Sequence, residues 1–70
     1  MKYVIILERT DTGYSAYSPD VLGCISTGRT KEETERNIRE AIEFHLEGLR
    51  AEGLDIPKPA SEVTFVDVAA

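Results

Sequence analysis

Two rhythms of apolar residues run through the chain. Between Thr30 and Glu52, the residues Thr34, Ile38, Ala41, Ile42, His45, Leu46 and Leu49 recur every three or four positions and share one stripe of a helix. Glu32, Arg36, Arg39, Glu40, Glu43, Glu47 and Arg50 fall opposite, with Glu32–Arg36, Glu35–Arg39 and Arg36–Glu40 spaced as i,i+4 ion pairs. The ends of this helix are also signalled. Thr30 and Glu33 have capping-box spacing, the threonine oxygen accepting from the N3 amide and the glutamate reaching back to the N-cap amide. Gly53 stands where a left-handed C′ residue stops a helix, and Pro57 and Pro59 prevent its resumption.

The second rhythm is that of strands. Lys2–Glu8 contains the unbroken run Tyr3-Val4-Ile5-Ile6-Leu7, apolar on both faces, as a strand covered from two sides would be. Asp11-Thr12-Gly13 is hairpin chemistry leading into Tyr14–Tyr17, with Tyr14 and Ala16 on one face and Ser15 and Tyr17 on the other. Ser18-Pro19-Asp20 breaks that strand, and Val21-Leu22-Gly23 carries the chain to a short third one, Cys24–Thr27. After the helix, Glu62–Val68 reads as a fourth strand, Val63 and Phe65 on one face and Thr64, Val66 and Val68 on the other.

These elements predict an α+β domain of order βββαβ, one long helix on one face of a mixed sheet. A right-handed crossover after the helix places the fourth strand parallel to the first and beside it, in the order 3-2-1-4. That arrangement puts the doubly apolar first strand in the middle. Two features do not close within one copy. The helix is about 33 Å long, whereas a six-residue strand covers about 20 Å, so its last turns overhang the sheet. The second face of strand one has no helix to cover it. A homodimer or higher oligomer is therefore expected, with Phe44, Leu46, Leu49 and Leu54 as candidate contact residues.

Length and charge narrow the function. Residues 1–70 form a single small domain, in which the lone Cys24 excludes an internal disulfide. No signal-peptide pattern and no bilayer-spanning run is present, so a cytoplasmic protein without membrane contact is expected. A net charge of −5 disfavours nucleic-acid binding and suits a basic protein partner. His45, alone on the apolar stripe, reads as a packing residue, and Cys24 as a small buried hydrophobe. No His, Cys, Asp or Glu grouping has metal spacing, and Gly23 and Gly28 belong to no phosphate loop. Neither a cofactor nor enzymatic activity is expected.

One stretch carries a more specific signal. Gly13-Tyr14-Ser15-Ala16-Tyr17-Ser18-Pro19-Asp20-Val21-Leu22-Gly23-Cys24, followed by Ser26-Thr27-Gly28-Arg29-Thr30 and Glu32-Glu33, strongly resembles the HicB family of antitoxins. The apolar first strand, the run Glu43-Phe44-His45-Leu46-Glu47 and the later Ile56-Pro57-Lys58-Pro59 match as well, so the resemblance covers nearly the whole chain. It implies a partial RNase H-like fold lacking that fold's catalytic carboxylates. It also implies a partner of the HicA type, a small basic mRNA-cleaving toxin that the antitoxin silences by occluding the active site. Many HicB proteins carry a C-terminal DNA-binding domain. With no such segment after Val68, this chain is not expected to bind DNA, and Thr34 departs mildly from the family's usual alanine.

The expected function is thus neutralisation of a HicA-like toxin, with an orphan homo-oligomeric module, structural or ligand-sensing, as the alternative. Tyr14, Tyr17, Pro19, Asp20 and Val21 are the candidate partner-binding residues. They cluster along strand two and its exit loop, and combine aromatic anchors with an acid on a stiffened turn.

Overall fold

A computed structural model describes residues 1–70. Three antiparallel strands, β1 (Ile6–Arg9), β2 (Tyr14–Ser18) and β3 (Val21–Gly28), lie in the order β1-β2-β3 and are followed by one helix, α1 (Lys31–Ala51). In β1, Leu7 opposes Ala16 of β2, and Ile6 opposes Tyr17. Further along, Tyr17 opposes Ile25 of β3, but Ser18 already opposes Val21. The residues between are taken up in a bulge at Gly23, whose φ of 87° is open to glycine without strain. This is why β3 begins before the expected Cys24.

The helix forms where its pattern places it. Thr30 Oγ1 accepts from the Glu33 amide at 3.0 Å. Glu33 Oε1 in turn accepts from the amide of Arg29, one residue earlier than a reciprocal capping box requires, at 2.9 Å. At the other end, the Gly53 amide donates to Arg50 O and the Leu54 amide to Leu49 O, with Gly53 at φ 70°. That is the Schellman pairing expected of a glycine at C′.

The stripe Thr34, Ile38, Ile42 and Leu46 is buried against Ala16, Val21 and Cys24 of β2 and β3. Thr34 brings a hydroxyl into this layer and satisfies it by donating from Oγ1 to Thr30 O at 2.7 Å. Asn37 Nδ2 donates to Thr27 O at 2.8 Å and fixes the helix to the end of β3. Tyr3, Ile5, Leu7, Leu49 and Ile56 pack at the margin, only partly covered. Ile56 thereby joins the core from beyond the helix, within the same chain.

The fourth strand is the main correction. Glu62–Val68 pairs with no strand, and every residue from Glu62 to Ala70 is exposed. The sheet therefore has three strands, not the order 3-2-1-4, and β1 is an edge. A compact chain of this length would have a radius of gyration of about 11 Å, whereas the observed value is 13.9 Å, with a long axis of 48 Å. The helix, about 31 Å long, does not by itself account for that axis.

Candidate partner-binding surface

The side chains of the sheet sort by the pleat. Leu7, Ala16 and Cys24 face the helix, so Ile6, Tyr17 and Ile25 face the other way, and the register places these three side by side across the open face. Tyr17 is 38% exposed and Ile25 71%. The next row on this face, Glu8–Ser15–Thr27, is polar. The open face thus carries an apolar band at the end nearest the β2–β3 turn, where Pro19 and Leu22 are also exposed.

The five candidate partner residues do not form one surface. Tyr17 and Pro19 do lie on the open face and its turn. Tyr14, three residues before Tyr17, is half-buried on the helix-facing side. Val21 is 1% exposed and belongs to the core, because the Pro19-Asp20 turn directs it back under the helix. Asp20 is engaged within the chain. Its carboxylate accepts from the amides of Ala60 and Ser61 at 3.1 and 3.0 Å and from the Ser61 hydroxyl at 3.0 Å. The Ser61 and Ala60 amides, in that order, hold the Asp20 carboxyl below its ordinary pKa. Leu22, Ile6 and Ile25 were not singled out by the sequence, although the inward place of Cys24 implies an outward Ile25.

The candidate oligomer contacts divide in the same way. Leu46 is buried and unavailable, Leu49 is half-buried, and Leu54 and Phe44 are exposed. Phe44 stands over a shallow groove beside Cys24, Ile25, Ala41 and Gly48. Cys24 is buried and donates weakly to Ala41 O at 4.0 Å, and its burial raises the thiol pKa, which disfavours a reactive thiolate. No group of three or more His, Cys, Asp or Glu side chains is placed to hold a metal ion. No helix is long and apolar enough to cross a membrane.

What this surface offers is shape and apolar contact. Residues 3–68 match the model of a family described as HicB-like antitoxin of bacterial toxin–antitoxin systems. A protein from the rep-hol intergenic region of Haemophilus phage HP1 is 43% identical over 58 residues, which are 83% of this chain and 44% of the phage protein. A UPF0150 protein of Helicobacter pylori is 38% identical over 65 residues, 91% of this chain and 90% of that one. The fold is similar to a chain of the HicA3 and HicB3 toxin–antitoxin complex, with a TM-score of 0.72 and 35% identity over 86% of this chain and 70% of that one. The crystal structure of antitoxin HicB3 gives the same TM-score and identity, and there the match spans 44% of the solved chain. This chain therefore spans less than half the length of two of these relatives.

Proposed function

The chain belongs to the HicB-like antitoxin family of bacterial toxin–antitoxin systems, and on that premise we propose that it neutralises a small basic HicA-like RNase by covering its active site. The observation that carries this reading is the exposed row Ile6–Tyr17–Ile25, with Leu22 and Pro19 beside it, on a sheet face that the chain itself leaves uncovered.

The mechanism is steric and electrostatic. A protein that cleaves mRNA presents basic residues where the phosphates sit, and a chain of net charge −5 is drawn to such a surface. Charge mainly raises the encounter rate, whereas residence requires a desolvated anchor. Tyr17 supplies one: its backbone is fixed between two strands, so ordering it on binding loses little entropy. Seated over the catalytic groove, the open face excludes RNA without any bond being made or broken by this chain. The role is non-enzymatic and is exercised in the cytoplasm, where the mRNA is. In fold terms the domain is a partial RNase H-like unit.

Calorimetric titration into a purified HicA-like RNase tests the reading. The wild-type chain binds, and Tyr17→Ala combined with Ile25→Asp weakens binding by about 2–4 kcal/mol while the helix signal is retained. Unchanged affinity in the folded double variant rules out the open face as the contact. Failure of the wild type to bind any such RNase leaves the second reading, a self-associating module without a toxin, which the exposed apolar C-terminal arm, residues 62–68, favours.

A further inference from the structure

We propose that residues 56–61 form a strap bracing the β2–β3 turn from outside the sheet, and that Asp20, at the apex of that turn, positions the partner surface rather than touching the partner. This role for Asp20 rests on the open face being the binding surface. The connection from β2 to β3 is a two-residue turn, Pro19-Asp20, since Ser18 opposes Val21. Such turns match the twist of their strands when the first central residue has a positive φ. Pro19 has φ fixed near about −65°, and positive φ is found at Gly23 and Gly53, not at Asp20. The turn is therefore of the kind that splays its strands. Leu22, Gly23 and Cys24 then follow without a partner in β2, and the regular ladder resumes at Tyr17–Ile25. A turn of this type, hung on a bulge, draws little support from its own ladder.

The feet of the turn, Ser18 and Val21, are buried and held by the core. Its apex is held by the strap. One Asp20 carboxylate oxygen accepts from the Ala60 and Ser61 amides, at 3.1 and 3.0 Å, and the other from the Ser61 hydroxyl at 3.0 Å. The Asp20 amide meanwhile donates to Ser18 Oγ at 3.3 Å, so backbone and side chain are both engaged. Bonds to a charged carboxylate are roughly twice as strong as neutral ones. Their donors belong to a segment that is itself tied down. Ile56 packs against the core, and Tyr3 Oη donates to Pro57 O at 2.6 Å. Pro57 and Pro59 stiffen the short stretch from that bond to Ala60 and Ser61. The strap thus links the N-terminal residues and the end of α1 to the turn.

The place of the turn gives this brace its consequence. Tyr17 and Ile25 end the regular ladder, and Pro19 and Leu22 stand exposed beyond them. The apolar band of the open face is therefore part ladder and part turn, and the strap sets the shape of the second part. A turn free to sample other shapes has to be ordered when a partner binds, a loss of freedom that a preformed surface avoids. Asp20 has both carboxylate oxygens engaged within the chain, so it acts through the shape of the turn. The link runs both ways: a partner that favours the braced turn also favours the closed strap.

Ser61→Pro tests the brace from the strap side. It removes an amide and a hydroxyl donor and leaves the net charge, the turn and the open face as they are. Ser61→Thr keeps both donors. In the free full-length chain, with the helix signal unchanged, the amides of residues 20–22 exchange faster in Ser61→Pro and as in the wild type in Ser61→Thr. Asp20→Asn, which opens the clamp from the turn side, has the same effect as Ser61→Pro. Against a HicA-like RNase, Ser61→Pro associates at the wild-type rate but dissociates about tenfold faster, a coupling of ordinary size between separate sites. Ser61→Thr binds as the wild type does. Turn amides unchanged in Ser61→Pro overturn the proposal, with or without a toxin. So does weaker binding by Asp20→Asn when Ser61→Pro binds normally, because Asp20 is then a direct contact. Failure of the wild-type chain to bind any such RNase counts against the proposed function, and the amides of the free chain then decide the brace by themselves.

Discussion

The half of the molecule built from β2, β3 and α1 and the half built from β1 and the C-terminal arm contain similar residue types but end in opposite states. In the first, Ala16, Val21, Ile38, Ile42 and Leu46 are buried, and both helix ends are capped by their own neighbours. In the second, Tyr3, Ile5 and Leu7 are half-covered, and Val63, Phe65, Val66 and Val68 are in solvent. Apolar content therefore does not decide which half is a core. What decides it is whether the chain supplies a second surface within reach. Helix α1 follows directly from β3 and folds back over the sheet, while residues 62–68 pair with no strand. The closed half gives a small protein its stability.

Substitutions in the two halves should separate these roles. The largest effect falls in the closed half. Ile38→Ala, at a site 1% exposed, removes side-chain volume from the centre of the helix–sheet layer and lowers stability by about 2–5 kcal/mol in urea denaturation. For a domain this small, that is comparable to its whole stability. Phe65→Ala, at 93% exposure, leaves the urea midpoint of the monomer essentially unchanged, although it is the larger deletion. A comparable loss at both sites would contradict the division.

Smaller effects sharpen it. Thr30→Ala removes the bond accepted from the Glu33 amide and lowers stability by about 1 kcal/mol, seen as a lower melting temperature with the same folded spectrum. The arm root should respond to pH rather than to denaturant. The folded pKa of Asp20 is depressed, so the clamp is fully present above the ordinary carboxylate range near about 4 and is lost as pH falls through the depressed folded value. Exchange protection of the Ala60 and Ser61 amides should follow that acid titration in the wild type and be absent in Asp20→Asn, which cannot accept with a charged oxygen.

How much of this could be read from residues alone differs between the halves for the same physical reason. The helix was legible to its ends because its signals are local: Thr30 and Glu33 lie three positions apart, and Gly53 adjoins the last turn. The alternation of Glu62–Val68 reads as a fourth strand, which the fold does not contain. Period-two alternation does not say whether a partner strand is within reach. The engagement of Asp20 is not legible in the sequence, because its donors lie about forty residues further along and no local pattern announces them. Val21 reads as part of a loop in the sequence, because the bulge at Gly23, which starts β3 early, is invisible to strict alternation. Tyr17 was placed correctly on the face opposite Ala16, by the pleat alone.

The functional claim rests on the open face of the sheet, the row Ile6–Tyr17–Ile25, acting as a binding surface for a basic RNase, and one measurement addresses it directly. RNA cleavage by a purified HicA-like RNase is followed while the wild-type chain is added from substoichiometric amounts to excess. Activity should fall in proportion to added chain and be abolished at stoichiometric equivalence, with Tyr17→Ala combined with Ile25→Asp requiring at least tenfold more protein. Cleavage that continues at the full rate in the presence of excess folded wild-type chain would contradict the account.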